Sequence, residues 1–326
     1  MEPFIVLDPQ RSSNPLGGDA ARVAEHYDNY VQAEAERLEK FCPVEYAVTQ
    51  RYLAGFVPDR STVGEIGVGV GHYSESLARR GCRLHLVDVS GSLLRAAEKR
   101  LRAAGLASSI AGLHHASATT LPFSDLSLDA LLVLGPLYHL RELEERRQAV
   151  NEAARVLKPH GIVLAAGINR LTFLRDMFRS PDPFSAKFFG SELAGAGMSF
   201  GRELASRGKF GAGQEPGPGE FVAQFLATGN LDPKHAPPIG YAHLTTVAEF
   251  RELMTAHFVE LALAGVESFT GPWQDVFHSK TAEEKAGWLD IIEATGTTPE
   301  GVAYSDHFLF VGRSVEMGES AVGSRH

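Results

Sequence analysis

The spacing of apolar positions changes along the chain and divides it into regions. Between 19 and 40 it is helical: Val23, Tyr27, Tyr30 and Leu38 fall near one face, and Glu and Arg fill the rest. A second helix is predicted over 44–56, stopped ahead of Pro58. From 61 onward, short apolar runs of strand length alternate with helical stretches. Strands are predicted over 62–66, 83–89, 110–115, 128–134 and 161–166, and helices over 73–80, 92–104 and 140–157. Gly81 and Gly105 close two of these helices, Ser90 stands at an N-cap position, and Pro159 follows the third. Strands and helices alternating at this spacing predict a parallel sheet covered by helices on both faces.

The pattern is lost over 169–240. This stretch contains the Gly/Pro-rich segment 208–219 and many phenylalanines, among them Phe173 and Phe225. A long irregular insertion in a compact domain is usually functional, and an apolar underside suits a hydrophobic acceptor; a helical subdomain with its own small core is the other reading. Regularity returns as a helix over 245–257, a strand over 258–266, a helix over 282–294 and a strand over 306–312. The organisation expected is a flexible arm (1–18), a core with N-terminal cover helices (19–168), a lid insertion (169–240), a segment completing the sheet (241–313) and a tail (314–326).

Composition narrows the partners. The 326 residues are 44% hydrophobic and 22% charged, with a formal net charge of −9, so a nucleic-acid backbone is a poor partner. The start carries no signal-peptide pattern, and the longest apolar runs fall far short of the roughly 20 residues a membrane span needs. Two cysteines, Cys42 and Cys82, make neither a disulfide framework nor a zinc site. A cytoplasmic chain is expected, with no membrane partner; a homodimer is possible.

The chemistry concentrates after the first predicted strand, in Glu65-Ile66-Gly67-Val68-Gly69-Val70-Gly71, and at the end of the second, in Asp88. Glycines there permit a tight turn and a close backbone approach. A dinucleotide fingerprint needs G-x-G-x-x-G; His72 occupies the third-glycine place counted from Gly67, and Ser74 the one counted from Gly69. Glu65 would also repel a pyrophosphate, whereas it favours the ammonium and sulfonium of S-adenosylmethionine. Asp88 accepts ribose hydroxyls in either case and does not discriminate.

With Leu121-Pro122-Phe123, the run from Asp129 through Gly135-Pro136-Leu137-Tyr138-His139-Leu140, and Val156-Leu157-Lys158-Pro159-His160-Gly161, this order resembles class I S-adenosylmethionine-dependent methyltransferases, in particular bacterial small-molecule members. The likeness is good over 22–168 and loose over 241–313. It implies a Rossmann-like, mostly parallel α/β sheet whose last strand is antiparallel, with the lid inserted after the fifth strand. It further implies that Glu65, Gly67, Gly69 and Gly71 hold the methionine part, that Asp88 takes the ribose hydroxyls, and that Val89 flanks the adenine. Ser117-Ala118 stands where the family often has Asp-Ala beside the adenine amino group, a departure that removes a charge. Backbone at Leu134-Gly135 should approach the ammonium, and Tyr27 and Tyr30 should cover the cofactor.

Methyl transfer needs a base only for a protonated acceptor. His139, just after the fourth strand, is the candidate base or acceptor-orienting group, with Tyr138, Tyr241 and His243 as candidate substrate contacts. His114, His115 and His307 read as structural, the run 141–147 reads as a solvated face, and no metal-ligand pattern emerges. The function expected is S-adenosylmethionine-dependent methylation of an oxygen or nitrogen of a small molecule, a secondary metabolite or modified peptide. The alternative is a fold that binds the cofactor without transferring methyl.

Overall fold

The computed structural model describes residues 18–179, 218–232 and 240–315. The arm, most of the tail and the 208–217 part of the Gly/Pro-rich segment lie outside the described residues. Three helical pieces open the described chain: α1 (Gly18–Asn29), α2 (Val31–Glu36) and a π-helical turn (Arg37–Phe41). α3 (Pro43–Phe56) follows with its proline at the first turn, where a missing N–H costs nothing. The single helix expected over 19–40 is therefore broken. Tyr30 sits at the break in a non-helical conformation (φ −120°, ψ 21°), and the wider π turn shifts the face again.

The core then alternates as predicted: β1 (Thr62–Ile66), α4 (His72–Arg79), β2 (Arg83–Asp88), α5 (Gly91–Ala103), β3 (Ile110–His115) and β4 (Leu128–Val133). Ser90 caps α5, its hydroxyl accepting from Leu93 N–H at 3.1 Å. After β4 the chain makes a 3-10 turn (Pro136–His139), so α6 (Leu143–Val156) begins later than expected. β5 (Leu157–Ile168) is longer than expected, because the chain stays extended through Pro159 and takes a left-handed residue at His160 (φ 63°).

Of the insertion, α7 (Arg170–Arg179), α8 (Pro218–Thr228) and β6 (Asn230–Leu231) are described. Phe173 and Phe225 meet with ring centroids 5.0 Å apart, fully buried with Ile168, Leu231 and Leu244 in a cluster of their own. β7 (Ala242–His243) pairs with β6 as a separate two-stranded ribbon. α9 (Val247–Thr255) starts at a Thr246/Glu249 capping box, which sets its first residue later than periodicity indicated. Then come β8 (Phe258–Gly265), α10 (Ala282–Gly296), α11 (Pro299–Tyr304) and β9 (His307–Ser314). A 3-10 stretch over Ser268–Ser279 and α11 were not anticipated.

The main sheet has the order β3-β2-β1-β4-β5-β9-β8. β1 through β5 are parallel, and β9 runs antiparallel between β5 and β8. Two apolar clusters, one on Leu84, Leu132 and Leu309 and one on Leu131, Val163 and Phe308, sandwich the sheet. Strand order reverses between β1 and β4, so their carboxyl ends frame a crevice. No helix among the described residues is long and apolar enough to cross a membrane.

Candidate cofactor and acceptor cavity

The glycine loop forms one side of that crevice. Gly67, Gly69 and Gly71 all take left-handed backbone (φ 73°, 56° and 82°). Gly67 and Val68 donate to the carbonyl of Val87, tying the loop to β2 at 2.8 and 3.1 Å. At Gly67 the turn also leaves no room: a Cβ would stand 2.8 Å from Cδ of Pro136. Gly71 precedes α4 and packs on Ala97. It stands behind the cavity wall, between the lining residues Val70 and His72.

Two carboxylates close this side. Glu65, 2% exposed, accepts from the Ser74 hydroxyl. Asp88, 5% exposed, accepts from Gly69 N–H at 3.1 Å and Ser90 N–H at 2.8 Å. Burial pushes Glu65 up to about 8. Burial also raises Asp88 to about 7, against its backbone hydrogen bonds and with Glu34 adding to the rise. Burial thus keeps Glu65 largely protonated at neutral pH and brings Asp88 to about half protonation.

α2 and the π turn deliver two charged residues that periodicity had placed among helix-filling positions. Glu34 and Arg37 both line the cavity. Arg37 Nε donates to Glu34 at 3.2 Å and its Nη1 to Glu45 at 3.0 Å. Burial opposes the Arg37 charge, but Glu34 and Glu45 outweigh it and keep the guanidinium firmly charged. The sequence signal was the i,i+3 Glu34–Arg37 pair; the broken helix supplied what periodicity lacked.

The opposite side is built on His139, 8% exposed. Its Nδ1 lies 2.8 Å from the Tyr241 carbonyl and its Nε2 2.9 Å from the Tyr27 hydroxyl. A carbonyl only accepts, so Nδ1 carries the proton and Nε2 accepts from Tyr27. Burial lowers His139 to about 4, so the ring is neutral. Tyr138 donates to the Leu134 carbonyl at 3.1 Å. Val89, Ser117 and Ala118 line one end of the cavity, and Leu134 and Gly135 flank Tyr138. The Ser117 hydroxyl is within 2.9 Å of that of Thr119.

Three expected contacts lie elsewhere. Tyr30, turned at the helix break, packs tilted against His26 with centroids 4.5 Å apart and does not line the cavity. Tyr241 contributes its carbonyl; its ring is gripped between the guanidiniums of Arg22 and Arg141, at 5.2 and 4.8 Å. Arg141 is in turn held by Asp19 and Asp232, at 2.8 and 2.6 Å, so the reading of 141–147 as a solvated face fails there. His243 faces a second cavity, its Nδ1 2.9 Å from Asn230 Oδ1. His307 lies 2.7 Å from Glu267 and 3.7 Å from Glu45, and these carboxylates outweigh burial and raise it. Glu267 also accepts from the Ser305 hydroxyl and the His307 N–H, so this trio is a satisfied ion-pair cluster.

Together the reversed strand order, the left-handed glycine loop and the acidic crevice define the Rossmann-like fold of class I methyltransferases. Residues 64–165 match the family model of the methyltransferase domain. The chain is 30% identical over 129 residues to an uncharacterized protein of Haemophilus influenzae, covering 38% of this chain and 50% of that one. It is 33% identical over 100 residues to a demethylmenaquinone methyltransferase of Clavibacter sepedonicus, covering 31% and 38%. The matches thus span half or less of the length of these curated relatives. Among solved structures, the fold is similar to that of the [4+2]-cyclase SpnF (TM-score 0.55, 17% identity, 92% of this chain and 98% of that one). It is also similar to that of the N-methyltransferase NodS of Bradyrhizobium japonicum in complex with S-adenosyl-L-homocysteine (TM-score 0.50, 14% identity, 90% and 99%). Residues 64–165 thus match a methyltransferase domain, whose implied cofactor is S-adenosylmethionine.

The cavity fits that group. Among the described residues the two buried carboxyls make no ion pair, the Arg37 guanidinium stands in the same cavity, and the glycine loop leaves open backbone at Gly69, where a Cβ would meet nothing nearer than Glu34 at 3.5 Å.

Proposed function

We propose that the chain transfers a methyl group from S-adenosylmethionine to an oxygen or nitrogen of a small-molecule acceptor. The observation that carries this reading is the pairing of Glu65 and Asp88, both buried and both raised by burial, with a charged Arg37 in one cavity. That set suits a ligand with an ammonium, a carboxylate and a ribose. Glu65 and the loop Gly67–Gly69 take the amino-acid end, with Arg37 as the cation for its carboxylate. Asp88 accepts the ribose hydroxyls, Val89 and Ala118 flank the adenine, and Ser117 offers it one neutral hydrogen bond. The Leu134-Gly135 backbone faces the ammonium. Bound there, the cofactor supplies an electrophilic methyl on sulfonium.

The acceptor then lies against Tyr27, Tyr138 and His139. Tyr27 donates its O–H hydrogen bond to Nε2 of His139, which leaves the phenol oxygen lone pairs as acceptors on the cavity wall. An acceptor hydroxyl donates to that oxygen, and its proton passes through the phenol to Nε2. A base near 4 takes a proton only from a strongly acidic group, so it receives one as the acceptor atom becomes acidic during bond formation and not beforehand. The buried Tyr27–His139–Tyr241 chain also keeps water from that edge.

The test combines calorimetry with S-adenosylmethionine and NAD and a radiolabelled methyl-transfer assay over hydroxyl and amine acceptors. Micromolar S-adenosylmethionine binding, no NAD binding and label in one acceptor class are expected. Binding without label in any acceptor would favour a non-methylating catalyst or a scaffold, and NAD binding would sink the cofactor assignment.

A further inference from the structure

A second cavity lies beside the first and shares Tyr138 with it. Its wall is made by the Pro136–His139 turn, the end of β5 at Gly167, α6, α8 and α9. It opens toward a groove between α6 and α9; Leu143, Glu249 and Leu253 belong to both.

Arg146 sets this cavity apart. Every other described arginine that is not exposed has a carboxylate within 4.0 Å: Arg37, Arg51, Arg80, Arg100, Arg141, Arg155, Arg170 and Arg175. Arg146 has none. Its Nη1 donates to the carbonyls of Leu140 and Arg141, both at 2.7 Å, while Nε and Nη2 make no hydrogen bond among the described residues. Burial works most against its charge and Arg170 adds to that, while Glu249, Glu142 and Glu145 favour it. Glu249 supports that charge from a distance without bonding to it, since its Oε2 is committed to Arg170 at 2.6 Å and to Thr246 N–H at 2.9 Å. His243 faces the same space and is kept neutral, first by burial and then by Arg146 and Arg170, which lower it to about 3. The cavity thus holds an arginine whose planar Nε/Nη2 edge has no hydrogen bond among the described residues, and Leu137, Phe250 and Leu253 supply its apolar lining.

We propose that this chamber is a second small-molecule site, separate from the Glu65–Asp88 cavity, that takes an organic monocarboxylate. Its carboxylate seats on the Nε/Nη2 edge of Arg146, and a short apolar body lies against Leu137, Phe250 and Leu253. Two parallel N–H donors match a planar carboxylate. A phosphate dianion is a poorer occupant, because a single free edge faces it and the Glu249 carboxylate stands in the same wall. The proposal does not rest on methyl transfer, and its readout is binding alone.

The test titrates the full chain with hexanoate, hexan-1-ol and inorganic phosphate by calorimetry, with and without saturating S-adenosylmethionine. Hexanoate is expected to bind at least tenfold more tightly than hexan-1-ol, phosphate to give no saturable heat, and the cofactor to leave hexanoate binding in place. Arg146→Gln should weaken hexanoate at least tenfold while cofactor affinity stays within twofold. Because Arg146 also holds two backbone carbonyls, Leu253→Trp provides a second arm: it fills the chamber, keeps Arg146, and should abolish hexanoate binding. The proposal is overturned if hexanoate does not bind, if hexan-1-ol or phosphate binds as well, if both variants bind hexanoate like the parent, or if the cofactor competes with it.

Discussion

The acidic side and the histidine side of the large cavity are buried alike and lose their charges alike, yet they stand in different states of completion. Burial raises Glu65 to about 8 and Asp88 to about 7, and lowers His139 to about 4. The histidine is complete as it stands, since both ring nitrogens have partners and neutrality is what those partners require. The carboxyls are incomplete: one hydroxyl for Glu65 and two backbone N–H groups for Asp88 do not offset their desolvation. A buried group neutral for want of a partner marks where a ligand belongs. A buried group neutral because its partners are satisfied marks machinery already assembled.

The largest effect that could break this contrast is on rate. Tyr27→Phe removes the hydroxyl that His139 accepts from, and His139→Ala removes the acceptor of the proton. Each should lower the methyl-transfer rate about 10²–10⁴-fold with cofactor affinity nearly unchanged. Saturating kinetics beside calorimetry decides the matter. If affinity falls and rate holds, the histidine side is packing and the contrast is lost.

Next comes the carboxylate itself. Asp88→Ala should weaken S-adenosylmethionine by roughly 1.5–3 kcal/mol, about 10–150-fold, through loss of charge-assisted hydrogen bonds. Equal calorimetric affinity in parent and variant would remove Asp88 from the ribose.

The smallest effect sharpens the comparison through pH. Glu65 and Asp88 have folded values above their ordinary 4.5 and 3.8, so their contribution to stability is full below those values and lost as pH rises toward about 7–8. His139 is depressed from 6.5, so its contribution is present above 6.5 and lost as pH falls toward about 4. A cationic ligand reverses the acidic side alone: its affinity should climb by up to about tenfold per pH unit below 7, with proton release on binding. Calorimetry in buffers of different ionisation enthalpy reads that release. An affinity flat from pH 5 to 8 would mean that neither carboxyl meets the cation.

Much of this was legible in the chain. Short apolar runs gave β1 to β4 within a residue or so, because buried parallel strands need nothing beyond continuous apolar character. Glu65, Gly67, Gly69 and Asp88 stood out in the chain, and lie around one cavity, because strand ends and left-handed turns concentrate recognisable residues. Glu34 and Arg37 escaped, since helical periodicity assigns faces only while a helix stays unbroken. The kink at Tyr30 and the π turn at Arg37–Phe41 bring both to the cavity and turn Tyr30 toward His26. Arg141 and Arg146 escaped for another reason. A charge-rich helix start reads as solvated unless tertiary contacts are known, and those contacts come from Asp19, Asp232 and two backbone carbonyls.

The contact between Gly67 and the Pro136 ring bears on any attempt to redesign this protein. One belongs to the loop facing the donor, the other to the turn that carries Tyr138 and His139 toward the acceptor. With 2.8 Å between that ring and the place a Cβ would take, neither piece has slack to move alone. Retargeting the acceptor side by reshaping the Pro136 turn would therefore disturb the donor loop in the same stroke. Variants that alter selectivity while sparing cofactor affinity are better sought on parts of the cavity wall outside the Gly67–Pro136 contact.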